Sequence, residues 1–174
     1  MCADLLNLEK QLRELEKARV DYVHIDVMDA HFVPNLTFGV DTVNAIAENT
    51  NIPLDIHLLV EHPETIVRRL NIVNGTIVTV HVECSDTISG IAKHVRNAGA
   101  KFGLALNPET PVESVREYLA YLDVILLMLT PPGFSGLKIA SGVMDKVAKL
   151  RSFLQREHAN PEIEVDGGVG LEHA

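Results

Sequence analysis

Short apolar runs alternate along the whole chain with longer stretches of helical spacing. YVHIDV (22–27), PLDIHLL (53–59), TIVTVHV (76–82), KFGLAL (101–106), DVILLML (123–129) and PEIEVD (161–166) are strand-length and rich in β-branched and aliphatic residues. Between them, residues 5–18, 40–49, 63–73, 86–98, 112–121 and 141–157 repeat apolar positions every three or four residues, as Leu5, Leu8, Leu12 and Leu15 do. This alternation predicts a parallel sheet covered by helices.

The strands are not uniformly apolar. Side chains alternate along a strand, so His24, Asp26 and Met28 look to one face of the first run while Ile25 and Val27 look to the other. Asp55, His57 and Leu59 repeat the arrangement in the second. An imidazole and a carboxylate buried without partners are strongly unfavourable, so this face must meet water, a metal or other polar groups.

Polar residues sit near most strand ends: His24, Asp26, His57, His81, Asn107, Thr130 and Asp166. In a flat six-stranded sheet the outer ends would stand roughly 24 Å apart, at about 4.8 Å per strand. A single site that uses all of them requires closure, which favours a barrel over an open doubly wound sheet. The expected fold is α/β, a (β/α)8 TIM barrel in one domain over residues 1–174, with six of the eight strands present. The chain opens on a helical pattern and stops soon after its sixth strand. Strand one and the strand-eight region are therefore expected to be missing, leaving open edges and a chain that is not a stable, active monomer by itself.

Composition narrows the functional classes. With 47% hydrophobic and 22% charged residues in 174, the chain has the make-up of a soluble globular domain. Its longest apolar run, 124–129, is too short to span a bilayer, and Asp4 interrupts any basic leader. Cys2 and Cys84, 82 positions apart, fit neither a disulfide framework nor a C-x-x-C motif, so two free thiols and a cytoplasmic location are expected. A net charge of −9 argues against a nucleic-acid or anionic-membrane partner. It leaves room for a phosphorylated small molecule held by backbone amides.

His24, Asp26, His57 and Asp166 supply two imidazoles and two carboxylates from three strand ends. That donor set suits one first-row divalent cation, with zinc, iron(II), manganese and cobalt all compatible. A lone strand histidine is ordinarily a hydrogen-bonded core residue; here the four share one mouth. His81 has two open readings, lining the pocket or satisfying a backbone carbonyl. Asp29 and His31 are read as folding the loop after the first strand, and His62, His94, His158 and His173 as solvated. Gly133-Phe134-Ser135-Gly136 and Gly167-Gly168 follow the last two strands. Glycine loops at neighbouring strand ends of a barrel form concave anion sites. Met28 and Met128 are core filling by default and could face a ligand in a barrel. A cation, two carboxylates and a phosphate grip together suggest proton transfer beside a carbonyl, with one aspartate removing a proton and the other returning it on the opposite face. Inversion at carbon is epimerisation.

With HIDVMDAHFVPN, DIHLLV, TVHVE, LNPETPVE, MLTPPGFSG and IEVDGGV in that order, the chain resembles the ribulose-phosphate 3-epimerase family over nearly all its positions. The resemblance implies a (β/α)8 barrel that interconverts D-ribulose 5-phosphate and D-xylulose 5-phosphate with one divalent metal, usually zinc or iron. It implies His24, Asp26, His57 and Asp166 as metal ligands and Asp26 and Asp166 as acid and base. It makes Met28, His57, Met128, Gly133, Phe134, Ser135, Gly136, Gly167 and Gly168 the expected substrate contacts, and it implies a homo-oligomeric full-length form. Ala30 stands where the family usually has glycine, Leu59 for a frequent methionine and Leu137 for the usual glutamine. The family's first-strand serine and eighth-strand Gly-Ser phosphate contact have no counterpart here. Two alternatives stay open: a hexulose-phosphate 3-epimerase acting on D-allulose 6-phosphate, which MCADLL and LNPETPVE also fit, and a non-catalytic sugar-phosphate or metal-binding remnant.

Overall fold

The computed structural model describes residues 3–84, 87–139 and 142–170. Cys2 and His173 lie outside them. Six strands alternate with helical segments: α1 (Leu8–Ala18), β1 (Val23–Met28), α2 (Val40–Glu48), β2 (Leu54–Leu59), α3 (Pro63–Val67), β3 (Ile77–His81), α4 (Ile88–Asn97), β4 (Lys101–Leu106), β5 (Val124–Met128), α5 (Val143–Arg156) and β6 (Glu162–Asp166). Short 3-10 segments precede α1 (Leu5–Asn7) and link β4 to β5 (Val112–Tyr121). All neighbouring strands pair in parallel, in the order β1-β2-β3-β4-β5-β6.

The strands separate two apolar layers. Ile25, Val27, Ile56, Leu58, Val78, Val80, Phe102, Leu104, Ile125 and Leu127 face outward and bury against Leu12, Val43, Ile46, Ile91, Val95, Val115, Leu150 and Phe153 from the helical layer. Alternation sends the other side chains inward, where apolar packing is confined to two small clusters, Met28 with Val33 and Leu59, and Ala105 with Leu126 and Met128. On β4 the inward positions are Gly103 and Ala105. A Cβ on Gly103 would collide with the Thr79 hydroxyl, so the missing side chain makes room for the neighbouring strand.

The sheet is strongly curled. Following the register from Asp26 through His57, Thr79, Gly103 and Val124 leads to Glu162, four residues before Asp166. Yet Asp26 and Asp166 offer ligand atoms within 4.8 Å of each other. Both the curl and this stagger are what strand tilt in a closed barrel produces. Six strands of a β/α barrel are therefore present among the described residues.

Two elements depart from the sequence pattern. The helix expected over 63–73 ends at Val67, because the Asn44 side chain on α2 donates to the Arg69 carbonyl (3.0 Å) and accepts from the Asn71 amide (2.8 Å), drawing that backbone out of the helical ladder. Residues 112–121 form a 3-10 helix, in which Val112 and Val115 bury at the three-residue repeat of that geometry.

Ala30 occupies the left-handed region at φ 61, where its amide donates to the Asn35 carbonyl at 3.0 Å and closes the loop after β1. That conformation costs an L-residue about 1–2 kcal/mol, of which glycine's larger unfolded-state entropy cancels about 0.4–1. Ala30→Gly is expected to stabilise the fold by roughly 0.5–1 kcal/mol, seen as a higher urea midpoint. An unchanged or lower midpoint would show that the loop holds no such strain.

Candidate functional site

β1, β2 and β6 each carry an alternating polar face, and the curl turns those faces toward one another. The parallel register sets Asp26 directly beside His57 and His24 beside Asp55. His24, Asp26, His57 and Asp166 then each present one ligand atom to a common point, all within 4.8 Å of one another. This is the set expected from the sequence. Two nitrogens and two carboxylates converging so closely could hold one divalent cation.

The hydrogen bonds orient these groups tightly. His24 has Asp55 Oδ2 at 2.5 Å from Nδ1 and Asp26 Oδ1 at 3.3 Å from Nε2. His57, fully buried, has Nδ1 at 3.1 Å from Asp26 Oδ1. Burial opposes a proton on His24, but the Asp26 and Asp55 carboxylates outweigh it and raise the imidazolium to about 11. Burial would likewise raise Asp26, but the hydrogen bonds from His24 and His57 prevail and hold it well below the usual carboxylate range. The metal-free site is thus a cation locked between two anions.

Beside the four groups lies a cavity of about 440 Å³ that runs from Met128, Thr130, Phe134, Ser135 and the Gly167–Gly168 turn to Leu8, Leu12 and Leu15 of α1, large enough for a small metabolite. Gly167 and Gly168 have φ of +109 and +67; a Cβ on Gly168 would come within 2.6 Å of the Leu137 carbonyl, so the two glycine loops touch only because both lack bulk here. Of the expected substrate contacts, Met128, Phe134, Ser135, Gly136, Gly167 and Gly168 border the cavity. Three others lie back from it. Gly133 is buried under Val33, and its carbonyl accepts from Asn35 Nδ2 at 2.7 Å. Met28 packs with Val33 and Leu59, and His57 stands behind Asp26.

Known proteins resemble this chain in sequence and in fold. The sequence model of the ribulose-phosphate 3 epimerase family matches residues 1–174. The chain belongs to that family. It is 36% identical to the ribulose-phosphate 3-epimerase of Bacillus subtilis over all of this chain and 81% of that protein. It is 37% identical to the chloroplastic ribulose-5-phosphate-3-epimerase of Arabidopsis thaliana over 97% of this chain and 61% of that one. Among solved structures, a mutant tryptophan synthase alpha-subunit from Pyrococcus furiosus superposes with a TM-score of 0.65 at 12% identity, over 97% of this chain and 76% of that one, a likeness of fold. The chain is therefore an isomerase-family enzyme on a β/α-barrel fold. One relative is chloroplastic, so membership in the family does not place the chain in the cytoplasm. Among the described residues no helix is long and apolar enough to cross a membrane.

Around the four groups of this epimerase-family chain lie residues that the sequence reading did not assign. Asp55, His24 and Glu164 form a second cluster with ligand atoms within 4.8 Å, one layer further into the sheet. Burial, and then the nearby Asp55 carboxylate, push Glu164 up to about 8. His81 takes neither of its expected roles: its Nε2 meets His57 Nε2 at 2.8 Å and its Nδ1 meets Glu83 Oε2 at 3.2 Å. Burial pulls His81 down to about 4 in spite of Glu83. Thr37 grips the end of β1, its hydroxyl donating to the Asp26 carbonyl (2.6 Å) and accepting from the Met28 amide (3.0 Å). Only the period-two alternation hinted at Asp55 and Glu164. Asp29, as expected, folds its loop by accepting from the amides of His31, Phe32 and Glu61, and His62, His94 and His158 are exposed.

Glu164 makes stability depend on pH. Its ordinary value is 4.5 and its folded value about 8, so between those limits the native state retains a proton that the unfolded chain has released. The stabilisation is complete below pH 4.5 and lost as pH rises through about 8. In metal-free protein, Glu164→Gln is expected to gain stability relative to the parent across that window and to hold a constant difference above it. Parallel unfolding-versus-pH curves for the two proteins would refute this assignment.

Proposed function

We propose that this chain's site inverts C3 of D-ribulose 5-phosphate to give D-xylulose 5-phosphate, and the reverse, with one divalent cation held by His24, Asp26, His57 and Asp166. The observation that carries the reading is the meeting of two imidazoles and two carboxylates within 4.8 Å beside a glycine-edged cavity, in a member of this epimerase family. The nitrogen and oxygen donors fit zinc or iron(II), and also manganese or cobalt. When bound, the cation would polarise the substrate's oxygens and offset the charge that develops on them.

The side chains carry the protons. Asp26 and Asp166 come from opposite edges of the curled sheet, β1 and β6, so a ketose lying between them would meet a carboxylate on either side. One removes the C3 proton, leaving the electron pair delocalised toward the C2 oxygen as an enediolate. The other returns a proton to C3 from the opposite face, and the two carboxyls end with exchanged protonation states. His57 and His24 hold Asp26 in place, while Met128 and Thr130 wall the cavity. The amides of the 133–136 and 167–168 loops are suited to the substrate phosphate.

Replacing Asp26 or Asp166 by Asn is expected to lower turnover at least about 10²-fold. Turnover in heavy water should place deuterium at C3 of the product; product free of solvent deuterium would rule out the two-carboxylate route. His57→Ala is expected to lose bound metal, measured by elemental analysis, and equal metal content in parent and variant would remove His57 from the ligand set. Parallel assays with D-allulose 6-phosphate decide between a pentulose and a hexulose phosphate. Absence of turnover with both, with metal or sugar phosphate still bound, would favour the non-catalytic binding reading.

A further inference from the structure

We infer that His81 and Glu83 are positioning residues: they fix the proton of His57 on Nε2 and so present its Nδ1 lone pair to the cation site. The inference rests on the cation-binding reading above. Its geometry runs through three side chains. His57 Nε2 and His81 Nε2 face each other at 2.8 Å, a contact that needs one proton and admits only one. Which ring supplies it is decided on the far side of His81, where Nδ1 lies 3.2 Å from Glu83 Oε2. An ionised carboxylate can only accept, so His81 carries its proton on Nδ1 and offers a bare Nε2. His57 must then donate from Nε2. Its Nδ1, hydrogen-bonded to Asp26 Oδ1 at 3.1 Å in the metal-free protein, is then the nitrogen whose proton a cation displaces, leaving its lone pair directed to where the four ligand atoms converge.

The relay is held rigidly at both ends. Both imidazoles are fully buried and stack with centroids 5.0 Å apart at 22°, and Phe32 covers His81 at 4.7 Å. Glu83 cannot turn away, because its Oε1 accepts from the Asn107 amide at 3.0 Å and from the Thr110 hydroxyl. That loop is tied down in turn by Lys146 Nζ, which donates to the carbonyls of Asn107 (2.5 Å) and Pro108 (3.2 Å). His24 is oriented more simply, by carboxylates directly, Asp55 on Nδ1 and Asp26 on Nε2. Partners of this kind around a metal-binding histidine set its tautomer and its strength as a ligand.

Glu83→Gln reverses the relay without changing its size. The loop donors Asn107 and Thr110 select the amide oxygen, which turns the amide NH2 toward His81 Nδ1. His81 must then donate from Nε2, and His57 is forced to carry its proton on Nδ1, facing the cation site. Two measurements on the full chain read this. Two-bond ¹H–¹⁵N spectra of histidine-labelled protein locate the ring protons, and chelator competition gives the affinity for Co²⁺. With Zn²⁺ present, the parent is expected to hold the protons on His57 Nε2 and His81 Nδ1. In Glu83→Gln both should change nitrogen, and Co²⁺ affinity should fall about 10–100-fold. Thr110→Val loosens the loop but keeps the carboxylate, so it should leave the tautomers and the affinity as in the parent. If Glu83→Gln does not fold, His81→Phe keeps the stacked ring while removing the acceptor and should lower Co²⁺ affinity similarly. The inference is overturned if Glu83→Gln keeps the parent tautomers, or if Thr110→Val weakens Co²⁺ binding as much as Glu83→Gln. A parent that binds no Co²⁺ would instead refute the cation reading, and the proton positions would still test the relay.

Discussion

The curl that brings β6 across to β1 is the constraint on which the rest of this molecule depends. Hydrogen-bonded register connects the two edge strands only through four others, yet His24 Nδ1 lies 3.7 Å from Glu164 Oε1. A flat sheet would hold these groups about 24 Å apart. Curl of this degree needs small inward side chains where the strands crowd, and Gly103 and Ala105 on β4 supply them. It also needs an outer layer to hold it, which the helices provide by burying the outward aliphatic residues of all the inner strands.

The curl gathers the polar faces of β1, β2 and β6 inside, and that interior then has to be neutralised. Burial of unpartnered ions is too costly to tolerate, so the buried carboxylates are set in contact with imidazoles. Asp55, His24 and Asp26 form one such row, and Asp26, His57, His81 and Glu83 another. The two rows meet at Asp26. This is why that carboxylate stays ionised although it is largely withdrawn from water, and why an additional cation beside Asp166 would complete the balance.

The loops beyond the strand ends are coupled to the same centre. Thr37 bonds the last turn of β1, and Asn35 crosses to the Gly133 carbonyl in the β5 loop. Gly168 packs against Leu137 with no space for a Cβ. The cavity edge is therefore assembled from three loops that reach one another through backbone carbonyls. A side chain added at either contact would shift the cavity edge against the carboxylates, a displacement of the kind to which positioned proton transfer is sensitive.

Periodicity alone was enough to find the six strands and the helices between them, because apolar spacing reports which face of an element is buried. It also singled out His24, Asp26, His57 and Asp166, since ionisable residues inside otherwise aliphatic strands require partners. Local pattern could not say which partners. The truncation of α3 depends on Asn44, more than twenty residues earlier, and the 3-10 path of 112–121 on packing beneath it. His81 read equally well as a pocket residue or a carbonyl partner, because its meeting with His57 is set by two strands side by side. Glu83 and Glu164 passed as ordinary polar positions for the same reason, and Asp55 was marked only by sharing the face of His57. The sequence by itself determined the βα order, the buried faces and the donor types. The tertiary structure decided which donors meet and which proton each can carry, because those depend on curl and stagger, and distances across a closing sheet are not encoded in the spacing of residues along any one strand.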